Sequence, residues 1–198
     1  MKIFGFGETV EGYPVRVLNE REVRAGAGIL FFFAMISFMN AWLVGNFAPL
    51  KVFVVAFFVD FAIRVLVNPR YAPSLVLGRL FVRNQQVEYV GAPQKRFAWL
   101  IGFVLASFML VWLVILGQIG VLNLVICIAC LTFLLFESAF GICIGCKIYP
   151  YVMRKDPVLC AGGVCGVVKK EPVQHVSFVQ VIVLIVFASF VLGSALFV

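Results

Sequence analysis

The stretch VLNLVICIACLTFLLFESAFGICIGCKI, residues 121–148, decides the fold class of this chain. It is apolar almost throughout, with Glu137 as its one carboxylate and Lys147 near its end. A helix needs about 20 residues to cross the hydrocarbon core of a bilayer, and this run is longer than that. We therefore expect a membrane-crossing helix that extends beyond the lipid on one side.

The rest of the chain has the same character. Of its 198 residues, 64% are hydrophobic and 13% are charged, and its mean hydropathy is +1.11. Ordinary soluble domains are about half apolar and about one quarter charged, so this composition excludes that class. A helix satisfies its own backbone hydrogen bonds in lipid, which favours an all-α membrane protein. The apolar runs predict a bundle of about five transmembrane helices, at residues 25–45, 52–67, 97–117, 121–148 and 176–198.

The basic residues predict the orientation of the chain. Fourteen of the 16 Lys and Arg residues lie in segments 2–24, 70–96 and 147–170. Because Lys and Arg accumulate on the cytoplasmic side, we expect a cytoplasmic arm at 1–24, a single transmembrane domain at 25–198 and a C-terminus outside. The net charge of +7 then reflects topology and contact with anionic lipid headgroups. No nucleic-acid motif accompanies this charge, so the expected partners are lipids and not nucleic acids.

The second loop contains APSLVLGRLFVRNQQ, residues 72–86, in which apolar side chains are interspersed with arginines. Pro73 and Ser74 are typical of a helix start. We expect a short helix that lies in the cytoplasmic interface with its apolar side in the acyl boundary. A packed cytoplasmic loop is an equally good interpretation of this segment.

Four segments of the chain resemble one known family. They are NEREVRAGAG at 19–28, NPRYAPSLVLGRLFVR at 68–83, YVGAPQKRFAW at 89–99 and FESAFGICIGCKIY at 136–149. Together they resemble the DUF4395 family of small bacterial membrane proteins, over roughly residues 15–195. The resemblance implies a multi-pass protein of the bacterial inner (cytoplasmic) membrane. The function of that family is unknown, so the resemblance implies no role for any residue.

The chemistry therefore has to be argued from the six cysteines. They form three pairs, Cys127/Cys130, Cys143/Cys146 and Cys160/Cys165. In a continuous helix the 13 residues from Cys130 to Cys143 span about 20 Å, which excludes direct exchange between those two pairs. The last two pairs can meet, because a flexible connection separates them. The predicted site is four thiols on the cytoplasmic face.

Thiol–disulfide exchange or persulfide transfer is the first interpretation of these four thiols. Cys143 and Cys146 would be the resident pair, and Cys160 and Cys165 a mobile pair that exchanges with it. A soluble thioredoxin-like or sulfurtransferase protein would be the partner. The expected position of Cys143 at a helix C-terminus disfavours a thiolate, because the helix dipole is negative there. Lys147 and Arg154 would offset that effect and hold a thiolate or another anionic sulfur species.

Two other interpretations stay open. The spacing C-x2-C-x13-C-x4-C also has the number of thiolates that zinc or an iron–sulfur cluster needs. The cysteines could instead be small packing residues of a structural or assembly subunit. Packing suits Cys127 and Cys130 best, because CIAC is similar to any small-residue helix seam. The sequence leaves the cofactor, the substrate and the enzymatic status of the protein undecided.

Charged residues inside the apolar runs are the second candidate feature. Asp60 and Arg64 stand four residues apart, which predicts an internal ion pair on one helix face. Glu137 has no partner on its own helix, and we expect it to pair with Arg64 across the bundle; proton movement is the alternative role. Gly141 and Gly145 have the small-xxx-small spacing that permits close helix packing or self-association into a homo-oligomer.

Overall fold

The structure of the protein is a computed structural model that describes residues 6–154, 158–159 and 178–195. The chain forms two compact units, Met1–Gly166 and Val167–Val198. The first unit contains nearly all of the described residues. In the second, the described part is a single helix.

The elements follow one another as a series of helices with a small two-stranded sheet. The first part contains β1 (Val17–Asn19), α1 (Glu20–Leu43), α2 (Ala48–Ala62) with a π-helical continuation (Ile63–Val67), a 3-10 turn (Pro69–Tyr71) and α3 (Pro73–Val82). The second contains β2 (Tyr89–Gly91), α4 (Ala92–Met109) with a π-helical continuation (Leu110–Ile115), α5 (Val121–Phe140), α6 (Ile144–Met153) and α7 (Phe178–Ala195).

Among the residues that the structure describes, three helical segments are long and apolar enough to cross a membrane, so the protein is an α-helical membrane protein. They are Glu20–Leu43, Ala92–Ile115 and Val121–Phe140. The segment formed by α2 and its continuation is also apolar, but it carries three charged residues, Lys51 and the predicted pair Asp60 and Arg64. The number of spans that the sequence predicts, about five, is therefore larger than the number that length and composition alone identify.

The first helix begins earlier than predicted. Asn19 is its N-cap, and the side chain accepts a hydrogen bond from the Arg21 backbone N–H. Glu20 and Glu22 occupy the first turn, where carboxylates interact favourably with the helix dipole. The charged residues at 20–24 therefore belong to the helix and not to the arm that precedes it.

A small antiparallel sheet joins the N-terminal arm to the start of α4. Its register pairs Val17 with Gly91 and Asn19 with Tyr89. The sequence analysis did not predict it, because three-residue strands carry too little periodicity to be recognised. The sheet brings the first turns of α1 and α4 next to each other.

The predicted helix of the second loop is confirmed as α3, with Pro73 in its first turn. It packs closely on α1, because Gly78 has no side chain: a Cβ there would lie 2.7 Å from the Glu22 carbonyl oxygen. The opposite side of α3 exposes Leu80 and Phe81. This is the amphipathic arrangement expected of an interfacial helix.

The prediction of one helix over residues 121–148 is wrong. The helix α5 ends at Phe140, and Gly141 is its C-cap with φ +66°. Glycine adopts this left-handed conformation without a Cβ penalty, and it commonly ends helices for that reason. The helix α6 then begins at Ile144, so Gly141 and Gly145 do not share a helix face. Gly145 still allows close packing, because a Cβ there would lie 2.5 Å from the Ala98 Cβ.

Candidate functional site

The break after α5 changes the environment of the central cysteine pair. Cys143 is the N-cap of α6, and its Sγ accepts a hydrogen bond from the Cys146 backbone N–H at 3.3 Å. Both side chains are buried. The expectation that these thiols lie at a helix C-terminus is therefore wrong. A helix N-terminus presents unpaired N–H groups and positive potential, which favour a thiolate.

A buried lysine lies at the centre of a charge cluster beside this pair. The Lys95 Nζ is 2.8 Å from the Glu20 Oε2 and 2.7 Å from the Glu137 Oε1. Lys95 is 0% exposed and Glu20 is 1% exposed. The three residues come from α4, α1 and α5, so one ammonium group joins three helices. We call Lys95, Glu20 and Glu137 the Lys95 cluster.

The predicted pairing of Glu137 with Arg64 is wrong, because Glu137 pairs with Lys95 instead. Arg64 keeps its predicted partner, with its Nε 2.7 Å from the Asp60 Oδ2. The Asp60 Oδ1 also accepts a hydrogen bond from the Ser74 backbone N–H at 2.8 Å. This second ion pair therefore fastens α3 to α2, which is a structural role.

The ordinary state of the Cys143 thiol is protonated. A hydrogen bond between the side chains of Cys143 and Cys146, together with burial, raises the pKa of Cys143 well above the ordinary 9.0, and the charge of Glu137 adds to this rise. The positive charge of Lys95 acts in the opposite direction. The thiol thus lies within electrostatic range of two members of the Lys95 cluster, and its reactivity depends on them.

A cavity connects the thiols with the Lys95 cluster. Its volume is about 100 Å³, and its lining includes Glu137, Cys143 and Cys130. Cys130 and Cys143 therefore both line this cavity, Cys130 from within α5 and Cys143 from the start of α6. Trp99 also lines it, and its buried Nε1 has no hydrogen-bond partner among the described residues.

The other thiols divide into two groups. Cys127 is buried on α5 with Leu113 and other apolar side chains, as the packing interpretation expects. Cys160 and Cys165 lie outside the described residues. The Leu159 carbonyl, which precedes Cys160 in the chain, accepts a hydrogen bond from the Gly91 backbone N–H at 2.8 Å.

Of the two basic residues predicted to hold a thiolate, Lys147 lies one helical turn after Cys143, and its backbone N–H donates a hydrogen bond to the Cys143 carbonyl at 3.2 Å. The Lys147 side chain is exposed. Arg154 is the C-cap of α6, about 16 Å along the helix axis from Cys143. Lys95 is the cation beside the thiols. Among the residues that the structure describes, no group of three His, Cys, Asp or Glu side chains could hold a metal ion.

The profile of one protein family, described as "Domain of unknown function (DUF4395)", matches residues 18–154. The chain belongs to the DUF4395 family. The matched range contains the Lys95 cluster, Cys143 and Cys146. Cys160 and Cys165 follow it. Comparisons with curated proteins and with solved structures find no match for this DUF4395 protein.

Sequence reasoning missed two site residues of this DUF4395 protein, Glu20 and Lys95. Both were visible as charges within quoted segments, in NEREVRAGAG and in YVGAPQKRFAW. In the predicted topology Lys95 is one of the loop charges that set the orientation, and Glu20 belongs to the arm at 1–24. Their position is the signal that could have identified them. Each of the two residues precedes a long apolar run by only a few residues, so the helix can begin before it and bury its side chain.

Proposed function

We propose that this protein is a membrane dithiol carrier, in which Cys143 and Cys146 alternate between a dithiol and a disulfide. The dithiol gives two electrons and two protons to the disulfide of a soluble thioredoxin-like or sulfurtransferase protein, whose cysteines become thiols. In the reverse direction the partner's dithiol reduces the disulfide. The single observation that carries this proposal is the position of the Cys143 Sγ at the N-cap of α6, hydrogen-bonded to the Cys146 N–H.

The surroundings of the pair supply what exchange requires. The nucleophile in exchange is a thiolate, and the raised pKa of Cys143 means that a base must first remove its proton. Glu137 lines the same cavity and is the base that we assign. Lys95 stabilises the resulting thiolate, together with the N–H groups of the first turn of α6. At this buried thiol, the Glu137 carboxylate therefore removes the proton and the Lys95 ammonium group stabilises the thiolate.

Persulfide transfer uses the same groups. The Cys143 thiolate would attack the outer sulfur of a partner persulfide, form Cys143–S–SH and release the partner's thiolate. The cavity of about 100 Å³ has room for a sulfur atom, because about 10–15 Å³ of such volume already holds a water molecule. The burial of both thiols favours a small transferred group over direct docking of a large surface.

The second thiol pair is assigned to shuttle electrons or sulfur between Cys143 and the partner. The carbonyls of Val158 and Leu159 accept hydrogen bonds from the Gln94 side chain and the Gly91 N–H. These donors lie at the start of α4, close to Lys95 in the chain. Cys160 is the next residue in the chain after Leu159.

The proposed topology has five spans in the bacterial cytoplasmic membrane, with the N-terminus inside and the C-terminus outside. The second span is α2 with its continuation, where the ion pair of Asp60 and Arg64 neutralises the costly charges. The fifth span is α7, which has 18 residues. The distribution of Lys and Arg supports this orientation. It places the thiols and the start of α4 at the cytoplasmic side.

Thiol trapping of the purified full-length protein tests the proposal. We expect oxidant to remove two hydrogens from the peptide that contains Cys143 and Cys146, and reductant to restore them. The Cys143→Ser/Cys146→Ser variant should lose this change. The Cys127→Ser/Cys130→Ser variant, which removes a pair of the same spacing from α5, is the matched control and should retain it.

The partner step is tested with a thioredoxin whose resolving cysteine is replaced by serine. It should form a mixed disulfide with the wild type and with the α5 control, but not with Cys160→Ser/Cys165→Ser, which lacks the pair that reacts with the partner. An unchanged thiol content after oxidant would refute exchange. Stoichiometric zinc or iron in the purified protein would reject the dithiol-carrier proposal in favour of a metal site formed by the cysteines. A fully functional Cys143→Ser/Cys146→Ser protein would leave packing as the role of the pair.

A further inference from the structure

An open groove on the first unit of the protein is lined by both basic and apolar side chains. Its volume is about 950 Å³, and it is bounded by the N-terminal arm, the end of the α2 continuation, the start of α4 and α6. Arg16 and Arg96 line it together with Leu66, Leu100 and Met153. The Ala92 N–H donates a hydrogen bond to the Arg16 carbonyl, so both arginines lie at the first turn of α4. Leu100 lies one turn beyond Arg96.

The two arginines are exposed, and neither has an acidic partner among the described residues. Arg96 lies over the Phe6 ring, with 5.5 Å between the guanidinium carbon and the ring centroid. By contrast, Arg64 and Arg79 each form an ion pair with a carboxylate. The groove therefore carries two positive charges that no described side chain neutralises.

The apolar end of the groove is open as well. Leu66 is 62% exposed and Leu100 is 44% exposed. In a membrane protein, apolar side chains at this depth contact acyl chains, whereas guanidinium groups at the end of a span contact headgroup phosphates. The groove thus has a charge at one end and apolar walls beyond it, which matches one amphiphile of opposite charge.

We propose that this groove is a binding site for one anionic phospholipid. The phosphate lies between Arg16 and Arg96, where the guanidinium groups donate charge-assisted hydrogen bonds to its oxygens. The upper part of one acyl chain lies along Leu66 and Leu100. A zwitterionic lipid binds less well, because its ammonium group opposes the two arginines. The site does not depend on the redox activity of the thiols.

Native mass spectrometry of the full-length protein in detergent tests this site. The protein is titrated with phosphatidylglycerol and, separately, with phosphatidylcholine that has the same acyl chains. We expect one phosphatidylglycerol molecule to be retained preferentially. The Arg16→Gln/Arg96→Gln variant should bind it about 30-fold more weakly, from two contacts of the usual strength of a basic residue at an anionic membrane surface.

The matched control is Arg83→Gln, which removes an exposed arginine that does not line the groove. It should change the affinity by less than about twofold, because its contribution is only to the overall charge. The Arg16→Lys/Arg96→Lys variant keeps the charge and should retain most of the binding. The single variants Arg16→Gln and Arg96→Gln give the same answer if the double variant does not fold.

Three results would overturn the proposal. The first is equal retention of phosphatidylglycerol and phosphatidylcholine, or no retention of either. The second is an equal loss of affinity in Arg83→Gln and Arg16→Gln/Arg96→Gln, which would mean that the lipid responds only to net charge. The third is displacement of the lipid by inorganic phosphate at millimolar concentration, which would make the site one for a free anion.

Discussion

Two cysteine pairs of this protein have the same C-x-x-C spacing but opposite surroundings. Cys127 and Cys130 lie within the unbroken helix α5. Cys143 and Cys146 follow a left-handed glycine, and the first of them caps a new helix. Near the second pair lie Lys95 and Glu137, whose charges act on Cys143.

This comparison teaches that the spacing of two thiols does not define a reactive pair. Within a helix, the N–H groups are already bonded to carbonyls four residues earlier, so none is available to a thiolate. At a helix start the first N–H groups have no such partners, and a sulfur atom can accept one of them. The backbone break at Gly141 therefore separates a candidate site from a packing pair.

The largest expected effect is at Lys95, whose positive charge acts on Cys143. Lys95→Met leaves Glu20 and Glu137 buried without their cation, and we expect a loss of about 3–5 kcal/mol in the free energy of unfolding. Unfolding in mixed detergent micelles measures it. Lys147→Met, at an exposed position, is the control and should stay within about 0.5 kcal/mol of the wild type.

A second variant sharpens this test. Adding Glu20→Gln and Glu137→Gln to Lys95→Met removes the uncompensated charges and should recover much of the lost stability. A Lys95→Met protein as stable as the wild type would mean that the cluster does not hold the three helices together. The difference between the two cysteine environments would then reduce to backbone geometry.

Much of the fold follows from the sequence, because long apolar runs and their flanking charges obey simple rules. The three spans identified by length and composition each overlap a predicted run, and Pro73 correctly predicted the start of α3. The end of α5 was missed because isoleucine and cysteine continue the apolar pattern through Gly141. Hydropathy does not record that a glycine has adopted φ +66°.

Less of the candidate site could be predicted. The pair of Asp60 and Arg64 was found because it is local, with both residues on one helix face. The Lys95 cluster joins residues that are 75 and 42 positions apart, and no local spacing encodes such contacts. Glu137 was therefore expected to pair with Arg64, a basic residue in the interior of another predicted span.

The position of α6 against α4 is the next test of the comparison. Gly145→Ala would place a Cβ 2.5 Å from the Ala98 Cβ, and we expect a loss of about 1–3 kcal/mol from this overpacking. Gly28→Ala is the matched helical control, since its Cβ would meet only the Ser138 Cβ at 3.6 Å. It should be neutral or stabilising by up to about 1 kcal/mol.

The same variants report on the thiols. If α6 moves away from α4, Cys143 loses its position beside Lys95, and alkylation of Cys143 should become faster in Gly145→Ala. Alkylation at Cys130 should change less, because α5 keeps its own backbone. Equal acceleration at both cysteines would indicate general loosening of the protein and not a displacement of α6.

The pH dependence of stability should differ between the wild type and Cys143→Ser, because serine does not titrate in this pH range. The folded protein raises the pKa of Cys143 above the ordinary 9.0, so folding favours the protonated thiol. Its contribution is fully present below about pH 9 and is lost as the pH rises above that value, by at most about 1.4 kcal/mol per pH unit. Cys143→Ser lacks this thiol, so its stability should fall less steeply as the pH rises above 9. Parallel curves for the two proteins would contradict the raised pKa.

The smallest expected effect is at the cap itself. Cys143→Ala removes the acceptor of the Cys146 N–H, and by comparison with other N-caps we expect a loss of about 1 kcal/mol. Cys143→Ser supplies a hydroxyl in the same place and should be at least as stable as the alanine variant. Cys130→Ala, within α5, should stay within about 0.5 kcal/mol of the wild type, because alanine is a good helix former and no cap is lost. If alanine is tolerated equally well at both positions, the hydrogen bond at Cys143 contributes nothing measurable, and the two pairs differ only in the charges around them.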